Sequence, residues 1–177
     1  MSRVRKIVGF WVMLAIYVSV PLAFYLVSRL LDDLLGLPTV FAGQANLFLA
    51  AISLLVGIFW VTWAYSFLHY VGKGSPVEAF GVALYPTQNL VTTGPYAYSR
   101  NPMVLGMLFI LLGIAFLLNS ISALILIPIL AVATIVYIRI YEETGLIRRF
   151  GDDYVRYRKT TPALIPTWKP QRPAPSD

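Results

Sequence analysis

The sequence of 177 residues contains no cysteine and a single histidine, His69. The absence of cysteine excludes disulfide bonds, thiolate metal sites and cysteine nucleophiles. One imidazole does not by itself assemble a zinc site of histidine ligands, so we expect no metal. His69 follows a long apolar stretch, where a histidine is more often a polar anchor at the membrane interface than a catalytic base.

Charged residues are also scarce. They make up 12% of the chain, whereas 58% of the residues are hydrophobic. Soluble domains usually carry about twice this charged fraction. A soluble core of this size has no room for so much apolar surface, so lipid must be the solvent for much of the chain. We therefore predict an integral membrane protein, whose net charge of +6 reflects topology and anionic lipid rather than nucleic-acid binding.

Long apolar stretches follow one another at residues 7–31, 45–68, 102–118 and 121–138. Each is about as long as a helix needs to be, at about 1.5 Å per residue, to cross a hydrocarbon core of about 30 Å. We predict an all-α membrane protein of about four spans, with residues 1–166 as one domain and 167–177 as a disordered tail. Gly106 and Gly113 lie on one face of the third stretch, where small residues permit close helix contact.

Basic residues are unevenly distributed among the loops. Arg29 alone of the 14 lies near the loop between the first and second stretches. Under the positive-inside rule, both termini and residues 70–101 face the cytoplasm. The polar segments 70–101 and 139–177 then share the cytoplasmic side, which we interpret as that of a prokaryotic cell membrane and as the side of the active site.

The C-terminal segment 142–159 is predicted to form an amphipathic helix with an interruption at Gly151. Its apolar residues recur at steps of three and four: Leu146, Ile147, Phe150, Tyr154 and Tyr157. Charged residues stand between them, which is typical of a helix lying on the membrane or on its own bundle.

The loop before the third stretch could bind an anion. Gly94-Pro95 signals a turn, Asn101 suits a helix N-cap, and Pro102 suits the first helical position. Free backbone N–H groups at a helix start, with Arg100 beside them, can hold a carboxylate or phosphate. The alternative is that Arg100 only anchors the helix at the membrane edge and that the nearby tyrosines form an interfacial belt.

A second polar constellation follows the fourth stretch. Arg139, Glu142 and Glu143 lie within five residues of one another. Acidic residues beside a membrane helix are costly unless they are paired or solvated, so they could bind a cationic group. The alternative is a solvated helix end in which Arg139 pairs with Glu143.

Taken together, these motifs resemble the isoprenylcysteine carboxyl methyltransferase family and its bacterial membrane relatives. The resemblance covers about residues 69–166. It rests on Gly94-Pro95-Tyr96, Arg100-Asn101-Pro102-Met103, Gly106, Glu142-Glu143, Leu146, Phe150-Gly151, Tyr154, Tyr157 and Pro162.

The resemblance implies S-adenosylmethionine as the cofactor and a lipophilic methyl acceptor that enters from the bilayer. By position, it implies a cofactor pocket formed by Gln88, Asn89, Leu90, Val91, Tyr96, Asn101, Pro102, Met103 and Val104. Glu142 contacts the cofactor from the far side, and Glu143 supports it. Arg139, and after it Arg100, matches the arginine that holds the acceptor carboxylate.

The chemistry agrees with what the sequence lacks. A carboxylate is already ionised at neutral pH, so its methylation needs alignment and exclusion of water, but no metal, base or covalent nucleophile. The alternatives are a phospholipid amine or small thiol as acceptor, a membrane reductase of the same superfamily, and a membrane protein without catalytic activity. An amine or thiol acceptor would need His69 or a glutamate as a base.

Overall fold

The computed structural model describes residues 3–74, 78–79, 82–83 and 87–171. It is built on five α-helices: α1 (Arg3–Leu35), α2 (Ala45–Tyr70), α3 (Pro102–Leu118), α4 (Ile121–Tyr137) and α5 (Glu143–Thr160). A 3₁₀ turn covers Gly94–Ala97, and a π-helical turn, Ile138–Glu142, joins α4 to α5 without a break. All four predicted apolar stretches are therefore helical.

Three helical segments are long and apolar enough to cross a membrane, namely Leu14–Leu35, Ala45–Tyr70 and Ile121–Thr160. The chain is therefore a helical membrane protein, as predicted. The third segment includes both α4 and the more polar α5. α3 has 17 residues and is apolar throughout, but it is shorter than the other three, so a fourth span remains a prediction.

The all-α fold is confirmed, and the helices are accompanied by one minimal β pairing. Two short strands, β1 (Glu78–Ala79) and β2 (Val82–Ala83), pair antiparallel in the loop between α2 and α3. Glu78 faces Ala83 and Ala79 faces Val82 in this pairing. A reversal this short leaves no periodic pattern in the sequence, so only the structure reveals it.

Glycines bring α2 and α3 into the closest helix contact of the bundle. A Cβ atom at Gly106 would lie 2.7 Å from a methyl of Val61 and 2.8 Å from the carbonyl oxygen of Gly57. A Cβ atom at Gly113 would lie 2.6 Å from Leu54. The predicted role of Gly106 and Gly113 in close packing is confirmed. On α2, Gly57 likewise has no side chain at the point where the two helices meet.

The turn between α3 and α4 is fixed by the side chains of Asn119 and Ser120, together with Asp32, which accepts from the backbone N–H of Ser122. Asn119 adopts a left-handed conformation, with φ of 54°, which ends α3. Its Oδ1 accepts from the backbone N–H groups of Val40 and Phe41, and its Nδ2 donates to the carbonyl of Phe41. Ser120 then caps α4 by accepting from the N–H of Ala123 at 2.9 Å. This turn ties the loop after α1 to the hairpin.

The amphipathic pattern of α5 places its aromatic face against the bundle. Tyr154 and Tyr157 are each 2% exposed, and Leu146, Ile147 and Phe150 pack beside them. Gly151 interrupts the helical backbone with φ of 54° and ψ of −131°, as the sequence predicted. The helix therefore closes over the start of α3 with its polar side outward.

Residues 161–171, which we call the C-terminal strap, return across the start of α3. The carbonyl of Pro162 accepts from the backbone N–H of Arg100 at 2.9 Å. Farther along, the N–H groups of Thr167 and Gln171 donate to the carbonyls of Tyr98 and Ala97. The disordered tail predicted at 167–177 is thus described only to Gln171, and the rest lies outside the described residues.

Candidate active site

A cleft opens where the start of α3, the loop before it and the first half of α5 meet. The space inside it and at its mouth is about 840 Å³, open solvent included. Its lining residues are Leu68, Thr87, Leu90, Val91, Tyr96, Arg100, Asn101, Pro102, Met103, Val104, Glu142, Leu146, Arg149, Phe150, Tyr154 and Tyr157. The two polar segments that the sequence singled out therefore form one site.

The start of α3 differs in one respect from the prediction. Pro102 does stand at the first helical position, but the side chain of Asn101 makes no capping bond to the described part of α3. Its Nδ2 donates instead to the carbonyl of Ala163, at 2.8 Å in the C-terminal strap. This bond orients the side-chain amide toward the strap, which lies directly beside the helix start and offers an accepting carbonyl.

Arg100 lies at the centre of a buried ionic network. Its Nη1 donates to Oε1 of Glu143 at 2.6 Å and to the hydroxyl of Tyr154 at 3.3 Å. Oε2 of Glu143 accepts a second bond, from Arg158 at 3.2 Å. The side chains of Arg100 and Glu143 are only 8% and 6% exposed. This network joins the start of α3 to both halves of α5.

One donor of Arg100 is left over in this network. Within the described ranges, its Nε is buried and has no hydrogen-bond partner. A buried donor without an acceptor costs about 1 to 3 kcal/mol, more when the group is charged. The guanidinium borders the cleft, so an acceptor entering the cleft is well placed to recover this cost.

The floor of the cleft is held by paired tyrosines. The hydroxyl of Tyr157 donates to the carbonyl of Tyr96 at 2.6 Å, which fixes the 3₁₀ turn against α5. Burial raises the pKa of Tyr96 well above its ordinary value, and the nearby Tyr17 and Glu142 raise it further. The Tyr96 hydroxyl therefore stays protonated and neutral at physiological pH, as a donor beside the Glu142 carboxylate.

Eight of the eleven residues predicted to bind the cofactor or support it lie in the lining, and three do not. Gln88 and Asn89 are exposed, and the Nδ2 of Asn89 donates to the carbonyl of Val71. Glu143 lies behind the lining, where it bonds Arg100. It therefore supports the site from outside the cleft.

The two arginines proposed to hold an acceptor are placed differently. Arg100 lines the cleft, whereas Arg139 is exposed on the π-helical turn and is not part of the lining. The pairing of Arg139 with Glu143, considered from sequence as the alternative, is not formed in the described structure, because Glu143 bonds Arg100 and Arg158. The extra residue of the π-helical turn changes which side chains share a face.

Sequence reasoning did not single out several lining residues as functional. Leu68 and Thr87 line one rim, and Leu146, Arg149, Phe150, Tyr154 and Tyr157 come from α5. Most of the α5 residues carried the amphipathic pattern, which indicated a packing face rather than a cleft wall. His69 lies outside the lining and is exposed, stacked on Tyr65 with ring centres 6.0 Å apart.

Comparison with known families decides which group the chain belongs to. Residues 45–153 match the family model described as phospholipid methyltransferase. The chain belongs to the phospholipid methyltransferase family. The matched region contains α2, α3, α4 and most of α5, and thus nearly the whole cleft.

Among curated proteins, this member of the phospholipid methyltransferase family is similar to protein-S-isoprenylcysteine O-methyltransferase of Schizosaccharomyces pombe. The two are 36% identical over 77 residues, which cover 44% of this chain and 33% of the relative. The match thus spans about a third of the relative's length. No solved structure matches the chain. The relative agrees with the resemblance drawn from the sequence motifs.

Proposed function

We propose that this chain is an S-adenosylmethionine-dependent methyltransferase of the membrane, with the cofactor bound in the cleft at the start of α3. The observation that carries the proposal is the meeting of Asn101–Val104 with Glu142 across one cleft. These residues are 38 or more positions apart in sequence, and both sets lie in the region that matches the family.

The side chains that line the cleft fit this cofactor. Glu142 supplies a carboxylate, which suits a cationic sulfonium or ammonium group. Tyr96, Met103 and Phe150 supply aromatic and thioether surfaces, which suit an adenosine ring. The cofactor supplies an electrophilic methyl group on a sulfonium that leaves as a neutral thioether.

The protein's own contribution is alignment and exclusion of water. The Arg100–Glu143 network fixes α5 against the start of α3, so Glu142 keeps its position opposite Met103 and Val104. The apolar walls lower the local dielectric, which strengthens the attraction between Glu142 and a bound cation. Positioning of this kind suffices for an acceptor that is already an anion.

We propose a lipophilic acceptor that carries a carboxylate, of the kind named in the curated relative. The lining combines apolar side chains with Arg100 and Arg149, which suits a molecule that is apolar at one end and anionic at the other. Arg139, first considered for the carboxylate, is exposed and is not needed for this arrangement.

A phospholipid amine is the second candidate acceptor. It is favoured by the description of the family that the chain matches. An amine must lose a proton before or during methyl transfer. Glu142 is the carboxylate of the cleft lining and would have to accept it, in addition to facing the cofactor.

We propose that the cleft faces the cytoplasm, because the loop near Arg29 carries so few of the basic residues. The absence of cysteine makes single-cysteine labelling clean. In intact cells, an impermeant thiol reagent should label Asp33→Cys and spare Lys73→Cys. The reverse pattern would overturn this orientation.

Binding of S-adenosylhomocysteine, the demethylated cofactor, tests the proposed function. We expect purified protein in detergent to bind it at micromolar concentration and to be stabilised by it. Glu142→Gln should weaken this binding at least 10-fold, because the side chain keeps its size and loses its charge. Calorimetry or a thermal-shift titration measures both.

The matched control is Asp152→Asn, which removes a carboxylate from the exposed side of the same helix. It should leave binding unchanged. If wild-type protein binds NADPH and not S-adenosylhomocysteine, the reductase interpretation replaces this one. If it binds neither, the proposed enzymatic function is wrong.

A further inference from the structure

Two arginines line the cleft, and they are not equivalent. Arg100 is 8% exposed and is already bonded to Glu143 and Tyr154. Arg149 is half-buried on α5, and sequence reasoning did not connect it with function. The two guanidinium groups therefore differ in burial, and Arg149 lies nearer to solvent than Arg100.

The geometry of α5 brings Arg149 into the cleft. Glu142, Leu146 and Arg149 follow one another at steps of four and three residues, which places them on one helix face, and all three are part of the lining. The helical backbone is interrupted at Gly151, directly after Phe150. The face therefore presents a carboxylate, an apolar side chain and a guanidinium in sequence along one wall.

The Phe150 ring supports the Arg149 guanidinium. The Cζ atom of Arg149 lies 5.6 Å from the centre of that ring, within the range of a cation–π contact. Phe150 itself lines the cleft. The ring therefore supports the guanidinium at the wall of the cleft.

We propose that Arg149 binds a carboxylate of a ligand in the cleft. The proposal rests on the proposed methyltransferase function. It deepens that function by assigning an anion subsite about two helical turns from Glu142. The planar guanidinium suits a carboxylate because it can donate two parallel hydrogen bonds, and it remains charged at all relevant pH values.

Two carboxylates can reach such a subsite, one on the amino-acid part of the cofactor and one on the acceptor. Two pairs of ligands distinguish these two sources, because the members of each pair differ only in the carboxylate. S-adenosylhomocysteine is compared with its decarboxylated analogue, S-adenosyl-thiopropylamine. N-acetyl-S-farnesylcysteine, a prenylated probe, is compared with its carboxamide in the presence of saturating S-adenosylhomocysteine. Binding is measured on wild type, Arg149→Gln and Arg149→Lys.

We expect Arg149→Gln to weaken binding of the carboxylate member of one pair by 10- to 100-fold and to leave the other member of that pair unchanged. Arg149→Lys should recover only part of the lost affinity. Lysine keeps the positive charge but lacks the two parallel N–H donors of the guanidinium. A loss confined to S-adenosylhomocysteine assigns the subsite to the cofactor, and a loss confined to the farnesylated probe assigns it to the acceptor.

The matched control is Arg148→Gln, since Arg148 is exposed on the neighbouring position of the same helix and lies outside the lining. It should change none of the four affinities. Equal affinities of wild type and Arg149→Gln for both carboxylate ligands would overturn the subsite alone. Failure of wild type to bind S-adenosylhomocysteine would overturn the proposed function, and the subsite with it.

A purely structural role for Arg149 gives a different result. If the guanidinium only packs over Phe150, Arg149→Gln should lower the melting temperature of the unliganded protein and weaken all four ligands alike. Arg149→Lys, which preserves a cation over the ring, should then behave as wild type. That pattern would also overturn the subsite.

Discussion

The two ends of the helix bundle are held together in different ways. At the α3–α4 turn, Asn119 bonds Val40 and Phe41 through a neutral amide, and Ser120 caps the next helix. At the opposite end, charged Arg100 and Glu143 are buried together beside an open cleft. Both ends join segments that are distant in sequence, but the first does so through an uncharged amide and the second through a buried ion pair.

We interpret this difference as specialisation of the first end for stability and of the second end for the proposed binding. Buried ion pairs gain little over apolar packing, because removing two charges from water costs several kcal/mol. The Arg100 network also leaves the buried Nε of Arg100 without an acceptor in the described structure. At the α3–α4 turn, by contrast, the charged side chain of Asp32 is partly exposed and accepts from the backbone N–H of Ser122.

The largest effect is expected for Glu143→Gln. This change leaves the buried guanidinium of Arg100 without its counter-charge, which typically costs about 3 to 5 kcal/mol. The melting temperature in detergent should fall by roughly 10 °C. Binding of S-adenosylhomocysteine should weaken as well, because Arg100 adjoins the Asn101–Val104 side of the cleft. A fall of less than about 2 °C would show that the network does not hold this end together.

An intermediate effect is expected for Asn119→Ala. The variant loses three side-chain hydrogen bonds and retains a left-handed backbone that alanine disfavours, which we estimate at about 2 kcal/mol together. Stability should fall without any change in affinity for S-adenosylhomocysteine. Titration of the folded variant with that ligand measures the separation. A parallel loss of affinity would contradict the independence of the two ends.

The smallest effect is expected for Arg156→Ala. Arg156 pairs with Asp153 on the outer face of α5, and these side chains are 37% and 67% exposed. Solvent screening limits such a pair to less than about 1 kcal/mol. The melting temperature should shift by about 2 °C or less. A large shift would mean that an exposed ion pair on α5 stabilises the protein as much as a buried one. That result would contradict the expected difference between buried and exposed pairs.

Much of the fold was predictable from local patterns. The length of the apolar stretches predicted the helices, and the spacing of Gly106 and Gly113 predicted the close packing of α3. The amphipathic pattern predicted α5 and its interruption at Gly151. Each of these follows from residues that are neighbours along the chain. The family motifs likewise indicated both walls of the cleft before the structure joined them.

What sequence reasoning missed depends on contacts across the chain. Asn101 has the residue type of a helix cap, but its partner is Ala163, 62 positions away. Arg139 has an α-helical spacing to Glu143, but the π-helical turn Ile138–Glu142 shifts its face. Arg149 could have been recognised from its spacing of seven residues after Glu142, once Glu142 was assigned to the site.

The antiparallel contact of α2 with α3 has a further consequence for the depth of the site. Gly106 lies level with Val61, so Pro102 lies level with about residue 65, whereas α2 continues to Tyr70. Along the helix axis, the start of α3 is therefore set back roughly 8 Å from the end of α2, which is toward the bilayer centre in the proposed topology. Pulling a lipid chain out of the membrane costs about 0.8 kcal/mol for each CH₂ group exposed to water. For the proposed lipophilic acceptor, a site at this depth would allow the prenyl or acyl chain to remain in the hydrocarbon, so most of this free-energy cost would be avoided.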